Sequence, residues 1–147
     1  MVTDFEIRAI TEDDESAVLA LMREFYSSPA VFTDGSEEIF LADIKACLSS
    51  SPYIEGYVFI TENGVSGYAM LAKSFSTEFG KPCIWLEDLY ISPECRGMGI
   101  GSAFLKLIEE KYPDSVFRLE VEEENEGAVK LYHKNGFTVL PYMEMKK

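Results

Sequence analysis

Three glycines at alternate positions, Gly97, Gly99 and Gly101, mark the stretch of this 147-residue sequence best suited to chemistry. They follow an apolar run that ends at Ser92 and lead into a helical pattern, and Arg96 directly precedes them. The start of a helix offers unpaired backbone N–H groups and the positive end of the peptide dipoles, and glycines let a ligand approach that backbone. The stretch is therefore suited to hold a phosphate or pyrophosphate.

Two known phosphate-binding loops fit this stretch poorly. A Walker A loop needs a lysine after its last glycine, and no lysine follows Gly101. The dinucleotide fingerprint ends in a third glycine or other small residue three positions after Gly99, where Ser102 stands, and it should lie early in a βαβ unit. It also needs an acidic residue roughly twenty positions further on, which Glu120 could supply. Spacing alone therefore leaves open whether the glycines hold a phosphate or only begin a helix.

Two motifs together resemble one known family. The segment Arg96-Gly97-Met98-Gly99-Ile100-Gly101 is similar to the Arg/Gln-x-x-Gly-x-Gly/Ala loop of the GNAT superfamily of N-acetyltransferases. The preceding Leu-Tyr-Ile-Ser-Pro-Glu also resembles the family, and the segment from Asn125 to Phe137 is similar to its Asn-x-x-Ala, Leu-Tyr and Gly-Phe pattern. The combination is far more specific than either motif alone.

The resemblance implies that acetyl-CoA is the acyl donor. In the family the glycine loop holds the pyrophosphate, the fourth strand pairs with the pantetheine arm, and a residue at the start of the fourth helix contacts the cofactor. Carried over residue by residue, the implied cofactor-binding positions are Leu89, Tyr90, Ile91, Arg96, Gly97, Met98, Gly99, Ile100, Gly101, Ser102 and Asn125.

Acetyl transfer to an amine needs a base, because an alkylammonium with a pKa of about 10 is almost fully protonated at neutral pH. Glu87 is the predicted base, since it lies nine residues before Arg96 in a Leu-Glu-Asp context that resembles polyamine acetyltransferase-like members of the family. Tyr132, in the Leu-Tyr match, is the predicted general acid for the departing thiolate. A solvated strand residue and a helix-packing tyrosine are the respective alternatives.

Five further residues are predicted on the acceptor side. Tyr26, Phe32 and Asp34 fall in the segment that forms one wall of the acceptor site in the family, but core packing of the two aromatics and a turn role for the aspartate are the favoured explanations. Glu120 and Glu122 lie at the end of the fifth predicted strand, residues 116–121, and could hold a second positive charge of the substrate. The alternative for these two is a solvated acidic surface.

The composition and net charge indicate which classes of partner the protein is unsuited to bind and in which cell compartment we expect it. A net charge of −13 argues against nucleic acid, because binding to its phosphate backbone rests on clustered lysine and arginine. No apolar run approaches the length of a membrane helix and no signal peptide is recognisable, so we expect a cytoplasmic protein that does not bind membranes. Three cysteines without paired spacing and a single histidine predict neither disulfides nor a metal site.

These residues must be positioned by one α/β domain spanning residues 1–147. The patterns predict the order β-α-α-β-β-β-α-β-α-β, with one or two short strands after position 137, and the resemblance supplies a mixed sheet with helices on both faces. The first helix should end near Tyr26, and Ser36 should cap the second. Asn63-Gly64 predicts a hairpin between the second and third strands.

We therefore expect an acetyl-CoA-dependent N-acetyltransferase that acts on a primary amine by direct attack. A small cationic or polyamine-like acceptor is preferred, and a protein lysine or N-terminus is the alternative. The resemblance also suggests a homodimer. Two other classes stay open: a CoA-binding module without turnover, and an interaction protein whose glycine loop binds nothing.

Overall fold

The computed structural model describes residues 4–31 and 35–147, and within them a five-stranded sheet forms the centre of the molecule. The strands lie in sequence order across the sheet: β1 (Glu6–Ala9), β2 (Ile54–Thr61), β3 (Gly64–Ser76), β4 (Lys81–Ile91) and β5 (Val116–Leu119). Neighbouring strands are antiparallel up to β4, and β5 runs parallel to β4. The predicted α/β class with a mixed sheet is confirmed.

Helices cover both faces of this sheet: α1 (Glu15–Tyr26), α2 (Glu37–Leu48), α3 (Ile100–Lys111) and α4 (Glu126–Lys134). The apolar stripes of α1 and α2 pack on one face, around Met22, Ile44 and Tyr68. Those of α3 and α4 pack on the other, around Phe59 and Phe104. None of the helices in the described residues has the length and apolar character needed to cross a membrane.

Short-range hydrogen bonds at Asp14 and Ser36 fix where α1 and α2 begin. The buried carboxylate of Asp14 accepts two hydrogen bonds from the Arg8 guanidinium, at 2.7 and 3.0 Å, and further bonds from the backbone N–H and hydroxyl of Thr11. The bonds from Arg8 are the main reason that the pKa of Asp14 lies below its ordinary value. Ser36 caps α2 as predicted, because its hydroxyl oxygen accepts the Ile39 N–H at 3.2 Å.

A β-bulge in β4 separates the environments of two adjacent acidic residues. In the β3–β4 register Leu71 faces Leu86 but Met70 faces Asp88, so Glu87 is the extra, unpaired residue. Asp88 is buried on the α1–α2 face, whereas Glu87 is exposed. The bulge therefore decides which of the two carboxylates reaches solvent.

The one or two short strands predicted after position 137 are absent: residues 137–147 contain no strand. Pro141 has no N–H to donate to a ladder. The apolar side chains around it, Val139, Met143 and Met145, are 83%, 85% and 83% exposed instead of packed on a sheet face. The fifth strand is also shorter than predicted, because it ends at Leu119. Since no strand in the described residues pairs beyond it, β5 forms one edge of the sheet.

Candidate active site

The glycine loop, residues 96–101, joins the end of β4 to α3. Gly97 and Gly99 have φ of +86° and +87°, a conformation that residues with a side chain rarely adopt. A Cβ at either position would meet no atom within 4 Å, so the backbone is open to a ligand there. Gly99 directly precedes Ile100, the first residue of α3. The free N–H groups at the start of this helix therefore face an accessible loop.

Two other residues predicted to bind the cofactor contact α4. A Cβ at Gly101 would lie 2.9 Å from Cδ2 of Leu131, so the missing side chain lets α3 and α4 pack closely. The Ser102 hydroxyl oxygen accepts a hydrogen bond from Nδ2 of Asn135 at 3.1 Å. These contacts hold α4 beside the glycine loop.

The remaining side chains around the loop contribute in different ways. Arg96 is exposed, its Nε donates to the Ile91 carbonyl at 2.8 Å, and its guanidinium lies 5.5 Å from the centre of the Tyr90 ring. These contacts place a positive charge at the edge of the loop. Met98 packs against the core and Ile100 is buried in it, so these two positions offer backbone rather than side-chain groups to a ligand.

A cleft opens beyond the point where β4 and β5 separate. The strands pair only from Cys83 to Leu86 on β4, and β4 then continues to Ile91 paired with β3 but not with β5. The cleft holds a small cavity of about 50 Å³. Its lining comprises Phe25, Ala30, Leu86, Glu87, Leu89, Glu120, Val121, Asn125, Ala128 and Tyr132. Residues predicted separately for the base, the acid, the cofactor and the acceptor thus meet in one place.

The two predicted catalytic groups differ in their electrostatics. Desolvation by the cleft walls raises the pKa of the Glu87 carboxyl, and the negative charges of Asp88, Glu144 and Asp43 raise it further. Glu87 therefore binds a proton more readily than a free glutamate does. Burial raises the pKa of Tyr132 to about 12, so its hydroxyl keeps its proton at neutral pH and is able to donate it.

Asn125 and Glu120 line the cleft, whereas Glu122 lies in the turn before α4. The Asn125 side chain caps α4 by accepting the Ala128 N–H at 3.3 Å, and it also lines the cleft. Glu120 is exposed at the cleft. Glu122 does not line the cavity; its carbonyl accepts the Asn125 N–H at 3.0 Å in the turn before α4.

Of the three acceptor-side residues predicted in the first helix and the loop after it, only Tyr26 lies among the described residues. The hydroxyl of Tyr26 donates to Asp88 at 3.1 Å and its ring packs 5.1 Å from that of Phe40, so Tyr26 supports the wall of the cleft without lining the cavity. Phe32 and Asp34 lie outside the described residues.

Six residues at the cleft were not predicted from the sequence. Asp88 lies behind the cavity as a buried carboxylate, 5% exposed, and the other five line it: Phe25, Ala30, Leu86, Val121 and Ala128. Burial raises the pKa of Asp88, against the lowering effect of hydrogen bonds from Tyr68 and Tyr26. Only the Leu-Glu-Asp context could have drawn attention to Asp88, because its partners are distant in sequence.

Asp43 on α2 yields a prediction about stability. Burial and the nearby charge of Asp88 raise its pKa from 3.8 to about 6. The folded protein therefore binds this proton more tightly than the unfolded chain, so the resulting stabilisation is full below about pH 4 and is lost as the pH rises through about 6. Asp43→Asn should be about 1 kcal/mol more stable than the wild type at about pH 8, after allowance for partial exposure, with little gain at about pH 4.

Thermal unfolding at the two pH values measures this difference. Glu38→Gln, an exposed position on the same helix, serves as the control and should show a much smaller pH-dependent gain. An equal change at both pH values for Asp43→Asn would refute the assignment of this proton.

The chain resembles known acetyltransferases along most of its length. Residues 17–137 match the model of the Acetyltransferase (GNAT) family. Thialysine N-epsilon-acetyltransferase from Bos taurus is 34% identical over 143 residues, which is 88% of this chain and 82% of that protein. The Sus scrofa protein of the same name is 44% identical over a shorter match of 73 residues, which is 48% of this chain and 42% of that protein.

A bacterial relative and a solved structure extend the comparison. Spermine/spermidine N(1)-acetyltransferase from Bacillus subtilis (strain 168) is 28% identical over 137 residues, which is 89% of this chain and 86% of that protein. The structure of aminoglycoside N-acetyltransferase AAC(6')-Iy in complex with CoA has a TM-score of 0.76 at 14% identity and covers 100% of this chain and 96% of that chain. At this identity the structural likeness speaks for the fold alone.

Proposed function

Because the chain belongs to the GNAT family of acetyltransferases, we propose that it transfers the acetyl group of acetyl-CoA to a primary amine of a small cationic molecule. One observation carries this proposal above the others. A carboxylate, Glu87, and a phenol, Tyr132, line the same small cleft, and α4, which carries Tyr132, packs through Leu131 against Gly101 of the open glycine loop. This arrangement supplies a proton acceptor, a proton donor and an anion site at neighbouring positions.

The glycine loop fits the diphosphate of acetyl-CoA. Its backbone is free of obstruction at Gly97 and Gly99, the start of α3 adds N–H donors and a positive dipole, and Arg96 adds a full charge. These local donors favour an anion although the chain carries a net charge of −13. We propose that residues 96–102 hold the diphosphate.

The free edge of β4 suits the pantetheine arm. In the described part of the chain β5 pairs with β4 only as far as Leu86, so the backbone of residues 87–91 has no strand partner on the cleft side. An extended amide-containing chain can hydrogen-bond to such an edge as an added strand does. We propose that Leu89 and Ile91 contribute backbone groups in this way. The backbone of Tyr90 between them faces β3, and its side chain is buried on the opposite face of the sheet from those of Leu89 and Ile91.

The proposed chemistry assigns one proton transfer to each cleft residue. Glu87 accepts a proton from the acceptor's ammonium, directly or through a water molecule, and its raised pKa makes it a stronger base than a free glutamate. Tyr132 donates its phenolic proton to the departing thiolate of CoA. As the C–N bond forms and the C–S bond breaks, the nitrogen loses its second proton, which restores the Tyr132 phenol. Glu87 releases the first proton to solvent, so that one proton is set free in each turnover.

Negative charge around the cleft supports a cationic acceptor. Glu87 and Glu120 line the cavity from the two diverging strands, and Asp88 and Asp43 add charge behind it. The relatives named for acetylation of thialysine and of spermine or spermidine act on small amines, in keeping with this charge. We propose that Glu87 faces the reacting nitrogen and that Glu120 pairs with a second positive charge.

Release of free thiol from acetyl-CoA, measured over a panel of amines, tests this proposal. We expect release with spermidine, thialysine and short diamines, acetylated products of the matching mass, and much slower release with lysine-containing or free N-terminal peptides. Binding of acetyl-CoA without release for any amine would instead indicate a CoA-binding module. Release with peptides alone would overturn the small acceptor.

Gly99→Val should weaken acetyl-CoA binding about tenfold or more, because a β-branched residue is strained at a φ of +87° and its side chain occupies the open loop. Titration calorimetry measures the Kd. Gly64→Val is a matched control: Gly64 has a φ of +89° and equally open surroundings, but it is the first residue of β3, directly after the β2–β3 turn. The control should lose stability and keep its Kd, and an equal loss of affinity in both variants would argue against the loop as the diphosphate site.

A further inference from the structure

One buried carboxylate ties the first helix to the central strands. The hydroxyl of Tyr68, on β3, donates to Oδ2 of Asp88 at 2.6 Å, and the hydroxyl of Tyr26, at the end of α1, donates to Oδ1 at 3.1 Å. Asp88 is 5% exposed and Tyr68 is fully buried. Both oxygens of a single side chain are thus used to join elements that lie far apart in sequence.

The end of α1 that is held in this way forms a wall of the cleft. Phe25, adjacent to Tyr26, lines the cavity, and so does Ala30 in the segment that follows. The Phe25 ring also packs against Tyr26 at 5.3 Å and against Tyr90 at 5.4 Å between ring centres. A shift of Tyr26 would therefore move the side of the cleft that faces Glu120 and Val121.

The same carboxylate lies next to the bulge of β4. Asp88 directly follows Glu87, the extra residue of that bulge, and the register of β3 and β4 changes between them. The bond to Tyr68 fixes Asp88 against β3 on the far side of the sheet. The bulge, and with it the direction of the Glu87 side chain, is consequently held in place by the Asp88–Tyr68 hydrogen bond on the opposite face of the sheet.

Stability alone does not account for an acid at this position. Moving a carboxylate out of water is costly even when hydrogen bonds satisfy it, and a well-packed apolar side chain would stabilise the same space at least as well. A hydrogen bond to a charged group is, however, stronger and more directional than a neutral one. Such bonds are useful where geometry has to be fixed.

We propose that Asp88 is a positioning residue for the acceptor half of the cleft: through Tyr26 it holds the end of α1 opposite β5, and through β4 it fixes the bulge that presents Glu87. This inference rests on the proposed acetyl transfer at this cleft. The glycine loop lies outside the contacts that Asp88 makes, so binding of acetyl-CoA should not depend on them.

Tyr26→Phe is the mildest test, because it removes one hydroxyl and keeps the ring that packs on Phe40. We expect the KM for the amine to rise about tenfold, as loss of a hydrogen bond to a charged group would give, with the Kd for acetyl-CoA within about twofold of the wild type. Tyr112→Phe is the matched control. It also removes a tyrosine–carboxylate hydrogen bond between two elements, from Tyr112, directly after α3, to Glu55 on β2, and neither residue contacts Asp88 or lines the cleft. Its amine KM should stay unchanged.

Asp88→Asn adds a second measurement. It should raise the amine KM by itself, and the double variant with Tyr26→Phe should be hardly worse than Asp88→Asn alone, since both changes disrupt one unit. If Asp88→Asn fails to fold, the comparison of Tyr26→Phe with Tyr112→Phe decides the matter. An unchanged amine KM in Tyr26→Phe, or equal effects of Tyr26→Phe and Tyr112→Phe, would overturn the inference. Absence of amine acetylation by the wild type would instead overturn the proposed function, and the inference with it.

Discussion

Glu87→Gln is expected to lower kcat about a hundredfold or more at about pH 7.5, because general base catalysis typically contributes at least that much. Glutamine keeps the shape and polarity of the side chain but cannot accept the proton of an ammonium group. The Kd for acetyl-CoA should change little, since Glu87 lies in the cleft and outside the glycine loop. Steady-state rates with saturating amine, together with calorimetric titration of acetyl-CoA, measure both quantities.

The pH profile gives this prediction a second readout. The pKa of Glu87 is raised by desolvation and by Asp88, Glu144 and Asp43, so kcat/KM of the wild type should rise with pH through a value above the ordinary pKa of glutamate. Below that value Glu87 carries its proton and cannot act as a base. Glu87→Gln should lack this limb of the profile.

Glu120→Gln is the matched control for Glu87, because it removes the other carboxylate of the same cavity. We expect it to raise the KM for acceptors with two positive charges and to leave kcat within a few-fold of the wild type. If Glu87→Gln retained nearly full kcat, or if Glu120→Gln lost as much, the assignment of the base would be wrong.

Tyr132→Phe is expected to reduce kcat by about a hundredfold, through loss of the proton delivered to the thiolate. Stability should hardly change, because phenylalanine keeps the packing of the ring against Phe137, 5.8 Å away. With a pKa of about 12 the phenol is protonated throughout the working pH range, so the loss should be equal at all pH values between about 6 and 9.

Tyr112→Phe separates this chemical effect from a general loss of stability. Tyr112 donates to Glu55 on β2, and neither residue lines the cleft, so loss of this hydroxyl should lower the melting temperature and leave kcat unchanged. Single-turnover measurements of thiol release with bound amine isolate the chemical step. A Tyr132→Phe enzyme with wild-type single-turnover rates would exclude the phenol as the acid.

Features that depend on a few consecutive residues were predictable. The glycine spacing before an apolar stripe located the loop and the start of α3, Ser36 located the start of α2, and Asn63-Gly64 located the turn between β2 and β3. Each of these signals acts through backbone conformation or a hydrogen bond within one turn of chain. The same locality explains why Asn125 marked the start of α4, where its side chain accepts the Ala128 N–H.

Features that depend on how the strands meet were not predictable in the same way. The predicted strands after position 137 are absent, because alternation of apolar residues cannot tell whether a neighbouring edge will accept them. The bulge at Glu87, the separation of β4 from β5, and the bonds of Asp88 to Tyr26 and Tyr68 all arise from pairing between distant segments. Motif and spacing identified the reactive side chains, whereas the cavity that collects them exists only once the diverging strands and the end of α1 are in place.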